Sequence, residues 1–164
     1  MGTRSEITLV EKYAPFQDKT VLEVGTAFGA SHSIRESAKA STHIGLDMQE
    51  GKYVDIVHNL NEPIRISPVD AVFCFSVLEH CNKPWLVSEN ISNALKTGGL
   101  LLLSVPFQWK IHGYPNDYWR FTPNGIKELF PAIKWVHEET DPINISLTSH
   151  QNGKILLLFA GIKQ

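Results

Sequence analysis

Cysteine is scarce, with two in 164 residues, and neither sign of charge prevails, since fifteen Lys and Arg face seventeen Asp and Glu. Cys74 and Cys81 fall in or beside an apolar run without a CxxC spacing, so free thiols are expected and not a disulfide or a metal site. No cluster of basic residues stands out, so neither nucleic acid nor an anionic membrane is expected as a partner. His32, His43, His58, His137 and His150 show no HxxxH pairing, and no metal is expected. Long apolar runs are missing too: "LLLL" at 100–103, extended to Val105, and "ILLLFAGI" at 155–162 are strand-length and far short of a membrane span. The opening "MGTRSEITLVEKYAPF" has no signal-peptide core and lacks the Ser or Thr that would complete a myristoylation pattern after Met1-Gly2. A cytoplasmic protein is the expectation. Repeats, linkers and low-complexity tracts are absent, and the length suits one well-buried core.

What is present is an alternation of strand-like and helix-like segments. "TVLEV" (20–24) is a β-rich run that stops at Gly25, and "ASHSIRESAKA" after Gly29 has Ala30, Ile34 and Ala38 at helical spacing. "HIGLD" (43–47) and "YVDIVHN" (53–59) read as strands, and "VDAVFCFSV" (69–77) as a central strand covered on both faces. The next helix starts at Pro84, buries Val87, Ile91, Ala94 and Leu95, and is expected to stop at Gly98-Gly99. "LLLLSVPF" (100–107) follows as a strand, then an aromatic and polar loop over 108–122. Thr122-Pro123 opens a last helix with Ile126, Leu129 and Phe130 inward, and "AIKWVHEE" (132–139) and "KILLLFAGIK" (154–163) complete a set of seven strands. Residues 1–19 are expected to add barely a turn or two of helix.

The turn "EVGTAFG" (23–29) joins a strand to a helix, which exposes backbone N–H groups at the positive end of a helix dipole. It has no Gly-Lys-Ser/Thr ending, which excludes a P-loop, and its glycine spacing fits a dinucleotide fingerprint poorly. Glu23, just before the turn, would accept a hydrogen bond from an ammonium and repel a pyrophosphate. Asp47, closing the second strand, is placed for the hydroxyls of a ribose. The two acids describe a ligand with an amine at one end and a ribose at the other.

These segments, with "GLDMQE" (45–50), "VDIVHNLNEP" (54–63), "VDAVFCFSVLEHCNKP" (69–84) and "LKTGGLLLLSVPF" (95–107), resemble in content and order the class I S-adenosylmethionine-dependent methyltransferases of the small type 11 kind. "HGYPNDYWRFTPNGIKELF" (112–130) resembles a stretch found in a subset of them often associated with glycan or other small-molecule biosynthesis. The resemblance implies an α/β fold, a Rossmann-like doubly wound sheet of seven strands in the order 3-2-1-4-5-7-6 with the last strand antiparallel, in a single domain over 1–164. It implies S-adenosylmethionine as cofactor and S-adenosylhomocysteine as product. Glu23, Gly25, Thr26, Ala27, Gly29, Asp47, Met48, Asn59, Leu60 and Ser76 are the cofactor-binding positions it suggests, with Ala27 standing where the family commonly has its middle glycine.

Glu79 and His80 face the crevice at the end of the fourth strand. Glu79 reads as a cap of the following turn and His80 as a base. In the 108–122 loop, His112 and Asp117 are further candidate bases, and Trp109, Tyr114, Tyr118 and Arg120 candidate substrate contacts, Arg120 for an anionic group. The expected function is methyl transfer to a small-molecule acceptor, a sugar or its conjugate, by in-line displacement, with a homodimer compatible. A non-catalytic cofactor-binding module that needs a partner is the alternative, with a nicotinamide-dependent oxidoreductase disfavoured by Glu23 and the glycine spacing.

Overall fold

The computed structural model describes residues 4–27, 31–113, 115–143 and 154–164. In chain order it contains α1 (Arg4–Tyr13), β1 (Thr20–Val24), α2 (Ser31–Ala38), β2 (Thr42–Asp47), β3 (Ile56–Val57), β4 (Val69–Phe75), a 3-10 turn at Leu78–His80, α3 (Pro84–Ala94), β5 (Leu95–Gln108), α4 (Pro123–Leu129), β6 (Ile133–Ile143) and β7 (Lys154–Lys163). The strands form one sheet in the order β3-β2-β1-β4-β5-β7-β6. The five on the β3 to β5 side run parallel, and β7 is antiparallel to both β5 and β6, as the resemblance implies.

Alternation along each strand divides the apolar residues between two layers. Leu22, Val72, Cys74, Leu101 and Leu103 face α3 and α4, where Val87, Ile91, Ile126 and Phe130 meet them. Val21, Ala71, Phe73 and Leu102 face the other way, onto Leu9 and Val10 of α1 and Ile34 and Ala38 of α2. Both faces are covered, so the central strands are apolar nearly throughout. Cys74 and Cys81 are free thiols, and burial pushes Cys81 up to about 12.

Several boundaries differ from the sequence expectation, among them β6, expected over 132–139 and found over Ile133–Ile143. The helix expected to run to Gly98-Gly99 ends at Ala94, because Leu95 is already extended and pairs with Val69. Gly98, at φ +79°, lies inside β5 where the register shifts between Val69 and Ala71. The third strand shrinks to Ile56–Val57, since Asp55 turns its carboxylate back to the N–H of Gly45 (2.7 Å). β4 ends at Phe75, because Ser76 takes a left-handed backbone (φ +53°) that carries the chain out of the sheet. Ahead of β1 lies a ten-residue helix and not a turn or two, and it buries Glu6, Leu9 and Val10.

Candidate functional site

The carboxyl ends of β1, β2 and β4 share one edge, and the strand order reverses between β1 and β4, which is where open α/β sheets bind ligands. At the end of β1 the chain turns through Gly25, at φ +81°, and a Cβ there would lie 2.4 Å from Val77 Cγ2. Only glycine serves at such a position. Thr26 follows, with its side chain buried and Oγ1 lacking a hydrogen-bond partner among the described residues. The N–H of Ala27 donates to Asp47 Oδ2 (2.9 Å), and Asp47 Oδ1 accepts from Gln49 N (3.0 Å). Ala27 keeps a φ outside the left-handed region, so this backbone accepts a methyl where the family commonly has glycine. Gly29 lies outside the described residues.

Glu23 is only 3 % exposed. Ser31 Oγ donates to one of its oxygens (2.9 Å) and His43 Nε2 to the other (2.8 Å), so its carboxylate is fixed beneath the turn from two sides. Neither serine nor histidine at these positions was singled out as a partner from the sequence. Met48 is exposed next to Asp47. Asn59 and Leu60 begin a turn secured from the core side by Asn90, whose Nδ2 donates to the carbonyls of Leu60 (2.9 Å) and Glu62 (3.0 Å). Ser76 donates through Oγ to Glu6 Oε1 (3.2 Å), and Ser104 Oγ donates to the same oxygen. Glu6 of α1 thus reaches the ends of β4 and β5, a contact with no local sequence signal.

The segment after β5 folds back onto the 3-10 turn. Tyr118 N donates to Glu79 O (2.7 Å), His80 Nδ1 to Asn116 O (2.6 Å) and Trp119 Nε1 to Cys81 O (2.8 Å). His80 and His112 come together edge to face, with ring centroids 4.9 Å apart. His112 donates through Nδ1 to the Lys110 carbonyl (3.2 Å), with Asp117 Oδ2 3.0 Å from the same nitrogen, and its backbone N–H donates to that Asp117 oxygen (2.8 Å). Each imidazole therefore uses Nδ1 as donor, which leaves the lone pair on Nε2. Burial lowers the pKa of His80 and favours its neutral form.

Three expectations are corrected by this geometry. Asp117 is no base: its side chain is 2 % exposed, and the Arg120 guanidinium, then the His112 N–H, hold its pKa at about 2. Arg120 is not free for an anionic substrate either. Its N–H groups go to both Asp117 oxygens (2.5 and 2.8 Å) and to the carbonyls of Trp109, Lys110 and Trp119 (2.7 to 3.3 Å). Both residues instead lock the loop that presents His112. Glu79 caps nothing through its side chain, which is buried beneath the loop, and burial raises its pKa to about 8. Trp119 and Tyr118 stay substantially exposed, Trp109 is half-buried beside His112, and Tyr114 lies outside the described residues.

The turn fits an aminoacyl nucleoside. It combines an orphan buried hydroxyl at Thr26, a fixed carboxylate below the turn at Glu23, and an acid at the edge of β2. A Rossmann-like sheet with these features at its switch point defines a nucleoside-cofactor protein of the methyltransferase kind. Comparison with known proteins agrees: residues 12–103 match the type 11 methyltransferase domain. The chain belongs to that family of class I S-adenosylmethionine-dependent methyltransferases, and S-adenosylmethionine is its cofactor.

No curated protein matches the chain in sequence. Among solved structures it is similar to the Burkholderia thailandensis 1,6-didemethyltoxoflavin-N1-methyltransferase, bound to 1,6-didemethyltoxoflavin and S-adenosylhomocysteine (TM-score 0.73, 15 % identity, 98 % of this chain and 77 % of that one). It is also similar to the N-methyltransferase NodS from Bradyrhizobium japonicum WM9 in complex with S-adenosylhomocysteine (TM-score 0.70, 12 % identity, 97 % and 84 % covered). A Haloferax volcanii complex with the Trm112 methyltransferase activator matches too (TM-score 0.69, 15 % identity, 95 % and 88 % covered). At these identities the likeness is one of fold. Among the described residues, no helix is long and apolar enough to cross a membrane.

Proposed function

We propose that the protein is a methyltransferase acting on a small hydroxylated molecule, a sugar or its conjugate. One observation carries this reading: two imidazoles, each donating through Nδ1 to a backbone carbonyl and so presenting Nε2, are held edge to face at the carboxyl end of β4. Val77 packs against Gly25 and leads directly into the 3-10 turn that bears His80, which sets His80 close along the chain to the Gly25 turn.

When bound, S-adenosylmethionine supplies a methyl group made electrophilic by its sulfonium. In this reading Glu23 and Thr26 hold the amino-acid end, Asp47 and Met48 the ribose, and Asn59 and Leu60 the base, while Ser76 closes the crevice on the β4 side. The backbone of Gly25 and Ala27 lines the turn. His80 and His112 activate the acceptor's hydroxyl by drawing its proton, which makes the oxygen a better nucleophile. The Lys110 carbonyl keeps the His112 tautomer in which Nε2 is the acceptor, and Asp117 holds the His112 backbone beside it. Trp85 and Trp119 meet edge to face (6.4 Å) and, with Tyr118, leave aromatic surface open beside the imidazoles. Such faces suit a ring that carries hydroxyl groups.

The test is transfer of labelled methyl from S-adenosylmethionine to a panel of sugars, sugar conjugates and other hydroxylated small molecules. Wild type is expected to label at least one class, and His112→Ala to lower kcat by about 10²–10⁴ with little change in KM. Cofactor binding without transfer to any acceptor would favour a non-catalytic binding module.

A further inference from the structure

The edge of β4 holds a grouping that proton transfer does not account for. Glu79, His80 and His112 each bring a ligating atom within 4.8 Å of those of the other two. Glu79 has a side chain 1 % exposed, and its Oε2 finds no hydrogen-bond partner among the described residues. An acidic oxygen left so in the interior is costly unless a proton or a cation meets it, and a cation held by the two imidazoles would take the proton's place. Arg120 supplies the charge on that side, but its N–H groups are committed to Asp117 and backbone carbonyls, and Glu6 and Asp117 add further negative charge around Glu79. The imidazoles are oriented as metal-binding histidines are. His80 Nδ1 and His112 Nδ1 each donate to a backbone carbonyl, the second with the Asp117 carboxylate 3.0 Å away, which frees both Nε2 atoms and orients the ring planes.

We propose that Glu79, His80 and His112 form a binding site for one divalent first-row transition metal ion. Two imidazoles and one carboxylate suit Zn²⁺, Co²⁺, Fe²⁺ or Mn²⁺ and are a poor set for Ca²⁺ or Mg²⁺. Bonds of about 2.0–2.2 Å put donor atoms about 3–3.5 Å apart. His80 Nε2 and Glu79 Oε1 are 3.9 Å apart, so side-chain adjustment alone closes the site. Binding is ligand exchange, with protein donors replacing waters of the hydrated ion. Positions left open face the accessible side of the imidazoles, where the acceptor's hydroxyl enters. That last point rests on the methyltransferase reading and replaces its base: with the ion bound both Nε2 lone pairs are ligands and neither imidazole takes the proton, so the ion would lower the hydroxyl's pKa and the proton would pass to solvent.

The full chain is titrated with Co²⁺ alone, without cofactor or acceptor, and the visible d–d absorption is followed; Zn²⁺ is then added as competitor. One Co²⁺ per chain is expected, with the absorption lost in Glu79→Gln and His112→Ala, weakened about tenfold in Asp117→Asn, and unchanged in His137→Ala. His112 lies outside the core, so His112→Ala carries the test if Glu79→Gln fails to fold. Wild type that binds no Co²⁺ saturably, or His112→Ala that binds it equally well, overturns the site. S-adenosylhomocysteine binding by the same samples separates the two proposals: S-adenosylhomocysteine bound without Co²⁺ overturns the metal site alone, and Co²⁺ bound without S-adenosylhomocysteine supports the metal site while contradicting the methyltransferase reading.

Discussion

Gly25 has two independent reasons to be glycine, a φ of +81° and a virtual Cβ 2.4 Å from Val77 Cγ2. Gly25→Ala is therefore expected to destabilise the fold by about 1–3 kcal/mol, read from the urea midpoint. Adding Val77→Ala should recover the steric part and leave the backbone part. If the double variant is no more stable than the single one, backbone strain accounts for the whole loss. Asp47 acts differently, since its oxygens accept from Ala27 N and Gln49 N and so shape the turn in addition to the ribose contact proposed for it. Asp47→Asn keeps an acceptor oxygen for Ala27 and is expected to preserve folding better than Asp47→Ala, while both weaken cofactor binding. Equal melting of the two variants would contradict this division of roles.

At the scale of elements, Asp70 pins the amino edge of three strands. Its carboxylate accepts from Thr20 N at the start of β1 (2.9 Å) and from Lys96 of β5 (2.8 Å). The Lys96 ammonium, then the Thr20 N–H, hold its pKa below the usual carboxylate value. A carboxyl depressed in the folded state stabilises above its unfolded pKa of about 3.9 and loses that contribution as pH falls through the folded value. The stability gap between wild type and Asp70→Asn should thus be full at pH 6 to 7 and shrink below about pH 4. A gap independent of pH would contradict the pairing. Helix α1 has a matching device at the opposite edge, where buried Glu6 accepts from the hydroxyls of Ser76 and Ser104. Glu6→Ala removes the acceptor of the buried Ser104 hydroxyl and the part-buried Ser76 hydroxyl and is expected to cost about 1–3 kcal/mol in urea unfolding; an unchanged midpoint would show that the hydroxyls find other partners. Alternation and turn residues made β1 and β7 legible in the sequence to the residue. The end of α3 was not legible, because Leu95 suits a helix face and a strand equally and only pairing with Val69 decides. α1 was under-read, since its burial depends on contacts nearly a hundred positions away.

For the molecule as a whole, strand order followed from motif order, because the chain visits the sheet in a sequence that puts the Gly25 turn and Asp47 on one edge. The acceptor side was legible in composition and not in role. His112, Asp117 and Arg120 were visible as a polar group among aromatics, but which one keeps a free lone pair depends on how the loop closes on the 3-10 turn. Local sequence holds no record of that closure. The central claim, that the β1–β4 crevice is built for S-adenosylmethionine, is tested most directly by calorimetry of S-adenosylhomocysteine with wild type and Asp47→Ala. The account predicts one site per chain with a Kd on the order of micromolar, weakened at least about tenfold in the variant. No binding by folded wild type, or binding of NAD(H) in its place, would contradict it.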